Sequence, residues 1–330
     1  MFLLKLPLIV VERLGRHAPF ALWISLALGM GFPGLSELVR PFLGSLVFLL
    51  LTLAFLRVDP VPVIAHLRRP LPVILASLWM LLLLPLAATL LLHLLPTGLV
   101  TPDIALIVFL ICAAPPVMSA PGFIAMMGLN ASFGLALLIV TMMLTPLTAP
   151  VFAELMTAGE MQIDATALAL RLAGYLVGSL LLARTVRAVI GKDRIQAGGM
   201  RIDGLNVLLL FCFALAAMDG VADSFAASPL LSASIAALTF FAAFVQIGIT
   251  LIVFRKLGRQ DAFALAHSSG SRNMGLMVAG FGGHIPELTW LWFALGQFPI
   301  YMLPMLLKPF ARRFTAPKQP RDAGADTPLE

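Results

Sequence analysis

Ala266-His267-Ser268-Ser269-Gly270-Ser271-Arg272-Asn273-Met274-Gly275 is small and polar and carries a full positive charge, yet it interrupts a run from Phe263 to Phe281 that is otherwise apolar enough to cross a membrane. A second interruption, Ala113-Ala114-Pro115-Pro116-Val117-Met118-Ser119-Ala120-Pro121-Gly122, lies about 150 residues earlier in another apolar run. Two helix-breaking segments at corresponding places in two halves point to the binding site of a secondary transporter.

The composition sets the class. The 330 residues are 60% hydrophobic and only 12% charged, with a mean hydropathy of +1.01. A soluble domain carries about twice that share of charge. A soluble core of this length cannot hide the excess apolar surface, so lipid is expected to cover it. The apolar runs are continuous and of helix length, not the alternating ten-residue segments of a β-barrel. The expected fold is an all-α polytopic membrane protein. The net charge of +6 reports membrane-facing loops, since no stretch interleaves basic and aromatic residues as a nucleic-acid platform does. Cys112 and Cys212 both fall inside apolar runs and read as small packing residues.

Ten spans are expected: 18–32, 41–56, 71–95, 104–127, 131–155, 166–190, 204–218, 230–254, 262–282 and 288–310. Residues 1–16 read as an interfacial segment, 17–156 as a first five-helix repeat and 157–165 as an acidic outer loop. Residues 166–312 read as a second, inverted repeat and 313–330 as a disordered cytoplasmic tail. The fourth member of each half is broken, and the fifth is proline-rich, with Pro146 and Pro150 in one and Pro304 and Pro309 in the other. This topology places 19 of the 22 Lys and Arg on one side. A bias of that size orients both termini to the cytoplasm, as in a bacterial inner membrane.

Non-helical backbone survives at membrane depth only against protein or a wet cavity. Pro115 and Pro116 remove two amide donors, and Pro121-Gly122 adds a second weak point, so the fourth span is expected to open near Ser119. Ser268, Ser269, Gly270 and Ser271 are poor helix formers in succession. Broken ends that meet expose amides from one half-helix and carbonyls from the other. The alternative is a pair of merely kinked spans. Arg272 sits 13 residues beyond Arg259, about 20 Å along an ideal helix, where a charge costs at least about 2.5–3.5 kcal/mol. It reads as a fixed cation facing a cavity and an anionic solute. The other reading is a structural bridge to broken-helix carbonyls or to Asp219. His267 is either a proton carrier or a packing histidine, and Asn206 and Gln246 read as interhelical partners. Asp219 and Asp223 are expected at the outer surface. No His/Glu set has metal-ligand spacing and no catalytic motif is present, so no metal, cofactor or enzyme activity is expected.

These segments resemble the bile acid:sodium symporter family. Leu28-Gly29-Met30-Gly31-Phe32-Pro33 resembles the end of its first span, and Leu67-Arg68-Arg69-Pro70 its basic approach to the third. Cys112 through Ser119, with Gly128 and Ala131, resembles its fourth-span motif Cys-x-Pro-Gly-Gly-x-x-Ser-Asn and the turn after it. Gly270-Ser271-Arg272-Asn273 resembles the ninth-span Glu-x-Gly-x-Gln-Asn. The resemblance covers nearly the whole ten-span region. It implies a substrate-binding core domain, a bracing panel domain and two broken helices crossing at the membrane centre. It implicates Ser119, Ser268, Gly270 and Asn273 in that site.

The departures bear on mechanism. Ala120 stands where the family has its sodium-binding Asn, Ser268 where it has its Glu, and Arg272 where it has its Gln. Phe133 and Leu137 align with hydroxyl positions, and Met80 with a third-span Gln. Losing a carboxylate and gaining a guanidinium makes the site more positive by about two charges and repels sodium. The expectation is a secondary transporter of a small organic anion that does not use the family's sodium site. Its candidate binding residues are Ser119, Ala120, Pro121, Gly122, His267, Ser268, Ser269, Gly270, Ser271, Arg272 and Asn273. The alternatives are sodium-coupled symport through backbone carbonyls, and a non-transporting membrane sensor or scaffold.

Overall fold

The computed structural model describes residues 18–58, 60–68, 70–96, 98–157, 163–282 and 285–315. The expected interfacial segment and most of the expected tail lie outside these residues. Among the described residues the chain is all-α, with seven helical segments long and apolar enough to cross a membrane. They are Pro33–Arg57, Leu71–Leu94, Ala131–Thr157, Ala165–Ile190, Gly199–Ala227, Pro229–Val253 and Glu287–Thr315. Many of their large apolar side chains point outward, as with Leu94 (82% exposed) and Leu230 (81%). Such a surface is stable only when lipid covers it.

The other three expected spans take a different form. Residues 18–32 hold a 14-residue helix, Ala18–Gly31. Residues 104–127 divide into Pro102–Cys112 and Ala120–Met126, and residues 262–282 into Arg259–Gly270 and Met274–Gly280.

Two boundaries differ from the sequence expectation in a way that local chemistry explains, and a third is fixed where expected. Pro33 does not lead into a loop. It opens a helix that passes through a 3-10 turn at Arg40–Phe42 into Leu43–Arg57, because proline's missing N–H costs nothing in a helix's first turn. The last helix runs to Thr315, into the segment expected to be disordered. Arg312 and Arg313 sit in its final turn, where cations complement the helix dipole. At the start of Ala165–Ile190, Asp164 accepts from Ala167 N at 2.9 Å and caps the helix.

The helices pack in two groups, which are joined along Ala131–Thr157 and Ala165–Ile190. Ala18–Gly31, Leu43–Arg57, Ala165–Ile190 and Gly199–Ala217 pack on one another. The second group holds Leu71–Leu94, both broken helices, Ala131–Thr157, Pro229–Val253 and the helices from Glu287 to Thr315. One apolar cluster bridges the groups, from Leu46, Val47 and Leu50 to Leu276 and Phe293. The other lies within the second group, around Met80, Phe133, Leu265 and Leu303. The broken helices are therefore enclosed, which their unpaired backbone requires.

Candidate functional site

The two interruptions meet. Pro116 and Arg272 form an isolated antiparallel bridge. Val117 N donates to Ser271 O at 2.8 Å, and Asn273 N donates to Pro115 O at 2.8 Å. Each extended segment thus satisfies backbone groups that the other's break leaves open.

The carbonyls freed by the breaks have identifiable partners. In an unbroken helix the amide of residue 115 would serve Ile111 O, but Pro115 has no N–H. Gln246 Nε2 serves it instead, at 3.1 Å. Likewise Asn273 N is turned to Pro115 O, which leaves Ser269 O free, and Arg272 Nε takes it at 2.8 Å. Arg272 Nη1 donates to Ala114 O at 2.8 Å and to Met80 O at 3.4 Å, and Nε also reaches Gln246 Oε1 at 3.2 Å. Met80 belongs to a π-helical turn, Trp79–Leu83, just before Pro85, whose missing donor loosens the carbonyls of that turn.

Arg272 is therefore the hub of the crossing. It is 3% exposed and donates to Ser269 O in the last turn of Arg259–Gly270 and to Ala114 O just past the end of Pro102–Cys112, beside the negative poles of both half-helices. Of the readings open at the sequence level, the bridge to broken-helix carbonyls is the geometry observed. Asp219 is engaged elsewhere, 2.6 Å from Arg40.

The other candidate residues divide by environment. Ser119, Pro121 and Gly122 line a cavity of about 480 Å³. Ala120 is fully buried beside them. His267, Ser268, Ser269 and Ser271 are fully buried and lie off that cavity. Ser268 Oγ donates to Ala264 O of its own helix at 2.8 Å. Gly270 has a packing role: a Cβ there would stand 2.6 Å from Ile247 Cγ1 and 2.8 Å from Ala243 O. Asn273 Oδ1 accepts from Leu276 N at 3.1 Å and caps Met274–Gly280. Arg272 and Asn273 line a small cavity of about 20 Å³ that shares Leu50, Met118, Ser119 and Leu210 with the large one.

The crossing also concentrates unpartnered polar atoms. Among the described residues Ser119 Oγ, both ring nitrogens of His267, Ser269 Oγ, Ser271 Oγ, Arg272 Nη2 and Asn273 Nδ2 are buried without a hydrogen-bond partner. Buried polar groups are ordinarily paired, so this density sets the crossing apart from an ordinary apolar core. His267 meets the edge of the Phe123 ring at 6.1 Å. No group of three or more His, Cys, Asp or Glu able to hold a metal ion occurs among the described residues.

Sequence reasoning missed most of the cavity wall. The cavity lies between the two helix groups, with Leu50, Ala54 and Leu210 on one side and Met118, Phe123 and Leu138 on the other. In the sequence these are ordinary apolar span residues. At its far end stand Asn206, Arg57 and Asp203, with Arg57 Nη2 2.7 Å and 2.9 Å from the two carboxylate oxygens. Asn206, expected only as an interhelical partner, lines the cavity. Gln246 is the interhelical partner expected of it. Compared with known proteins, the chain matches no family model and no curated protein.

Proposed function

We propose that the chain is a secondary transporter of a small organic anion, working by alternating access as a divergent member of the bile acid:sodium symporter family. The observation that carries this reading is the antiparallel crossing of two broken helices at Pro116 and Arg272, beside a cavity of about 480 Å³ that reaches Ser119. Broken helices that cross inside one packed group, beside a cavity shared with a second group, are the arrangement by which transporters hold a solute at mid-membrane.

On this reading the seven long helices, the Ala18–Gly31 helix and the two broken helices are ten spans in two inverted repeats. The group holding both breaks is the substrate-binding core, and the other group is the panel. The Arg57 end, where Arg187 Nη2 donates to Leu56 O at 2.6 Å and Arg184, Lys192 and Arg194 stand close to Arg187 in sequence, faces the cytoplasm, so the cavity opens inward.

Arg272 supplies the cation that family members obtain from sodium. Its guanidinium occupies the carbonyl oxygens a bound ion would need, and its charge lies behind Met118 and Ser119, residues common to the two cavities. In a low-dielectric surrounding that charge acts across several ångströms. It draws an anion into the cavity without touching it, while the apolar wall receives the rest of the solute.

The test is uptake of labelled organic anions into proteoliposomes under imposed sodium and proton gradients. The expected result is anion flux indifferent to sodium. Flux rising steeply with the sodium gradient overturns the sodium-free mechanism, and no flux for any anion overturns transport.

A further inference from the structure

Three cavities lie along one face of a single helix. Leu43 lines a cavity of about 460 Å³ at the Arg40 end, Val47 and Leu50 line the small central one, and Leu50, Ala54 and Arg57 line the large one. Positions 43, 47, 50, 54 and 57 step by four and three residues, which is one stripe of an α-helix. The two large cavities do not merge. Between them Leu43, Val47 and Leu50 are 5%, 1% and 2% exposed.

The Arg40 end is held shut by an ion pair inside one helix group that a tryptophan of the other group clamps. Arg40 Nη1 lies 2.6 Å from Asp219 Oδ2, which ties the start of Leu43–Arg57 to the end of Gly199–Ala217. The same guanidinium stacks over the ring of Trp290, 4.3 Å from its centroid, and Trp290 Nε1 donates to Asp219 O at 2.9 Å. Trp290 belongs to the other group, so one side chain is gripped from two directions. Phe293, one turn on, meets the edge of Phe213 at 6.1 Å. Arg57 with Asp203 joins the same two helices at the other end, as Arg40 with Asp219 does here; it is Trp290 that carries the Arg40 end across to the other group, and at the Arg57 end the groups part around the large cavity.

We propose that the 43-47-50-54-57 face of Leu43–Arg57 is the path a solute follows through the protein, and that Arg40, Asp219 and Trp290 form the latch that closes this path at the Arg40 end. Separating the groups at that end requires Trp290 to leave both the Arg40 stack and the Asp219 carbonyl, and this exposes Val47. The inference rests on the transporter reading for its purpose but not for its test.

The test places a single cysteine at Val47, with Cys112 and Cys212 replaced by Ala, in protein reconstituted into vesicles. A membrane-impermeant maleimide is applied to the face that labels a control cysteine at Ser228, an exposed position at the Asp219 end of the molecule. Val47→Cys is expected to label slowly with the latch intact. Trp290→Leu removes both the stack and the donor and should speed labelling at least about tenfold. Trp290→Phe retains a ring and should fall between. Arg40→Gln, at a half-exposed side chain, carries the test should Trp290→Leu fail to fold. Unchanged labelling in a monodisperse Trp290→Leu or Arg40→Gln protein overturns the latch. A latch that responds in protein showing no anion flux leaves the latch standing and removes transport. Flux with an unresponsive Val47 does the reverse.

Discussion

Replacing Arg272 with alanine should turn a sodium-indifferent protein into a sodium-stabilised one. The guanidinium serves Ser269 O and Ala114 O at 2.8 Å each, Gln246 Oε1 at 3.2 Å and Met80 O at 3.4 Å. Truncation leaves these oxygens buried without a donor. At about 1–3 kcal/mol per unsatisfied buried acceptor, the two short contacts alone represent about 2–6 kcal/mol. Removing a buried charge returns about 2.5–3.5 kcal/mol on insertion scales. The ranges centre on a net loss of about 1 kcal/mol, read as a fall of about 2 °C in the unfolding temperature of purified protein. What remains is a set of inward-facing carbonyl and amide oxygens with room where a guanidinium stood. Such a set suits a hard monovalent cation. Sodium at a hundred times its dissociation constant would contribute about 2.7 kcal/mol. The assay is thermal unfolding of parent and variant in sodium, potassium and choline chloride at equal ionic strength. Sodium-specific recovery in the Arg272→Ala protein alone supports the argument. Two results refute it: equal unfolding of the variant in all three salts, or a parent protein stabilised by sodium to the same degree.

Other outcomes follow from the same geometry. Gln246→Leu leaves Ile111 O unserved and loosens Arg272 Nε, so the unfolding temperature should drop by an amount equivalent to about 1–3 kcal/mol. Gly270→Val forces a side chain into Ile247 and the Ala243 carbonyl, which should cost a comparable amount in thermal unfolding and reduce the monodisperse yield. Gly122→Ala, with open space at its Cβ, should be near neutral in the same measurement. Asp203→Asn breaks an ion pair whose side chains are 43% and 50% exposed; its stability cost should stay within about 1 kcal/mol, and anion uptake reports whether Arg57, so released, changes affinity.

Much of the fold was legible from composition and periodicity. An apolar excess of this size, divided into helix-length runs, leaves only a helical membrane protein, because each span satisfies its own backbone and needs no partner to be recognised. The breaks were legible for the same local reason. Pro115 and Pro116 have no N–H to give an i to i−4 ladder, and the first helix stops at Cys112; the poor formers Ser268, Ser269 and Gly270 are held in the last turn of the second, which stops at Gly270, so there the break falls at the end of the run and not along it. Pro33 is the counterexample: a proline ends a helix or opens one depending on which residue precedes it, and here it opens one.

Only the tertiary structure decided what the breaks do. That Pro116 pairs with Arg272, that Gln246 answers for the donor missing at Pro115, and that the Met80 carbonyl turns toward a guanidinium from residue 272 are contacts between chain positions 135 to 192 residues apart. No local pattern encodes them. The cavity is a stronger case. Its wall is Leu, Met and Phe side chains that, as sequence, are indistinguishable from those facing lipid, because a membrane span is apolar on every face. For Arg272 the sequence established a buried charge that must be compensated. The three-dimensional arrangement assigned the compensation, because a helix's negative pole exists only where its last carbonyls converge, and two such poles meet at this one side chain.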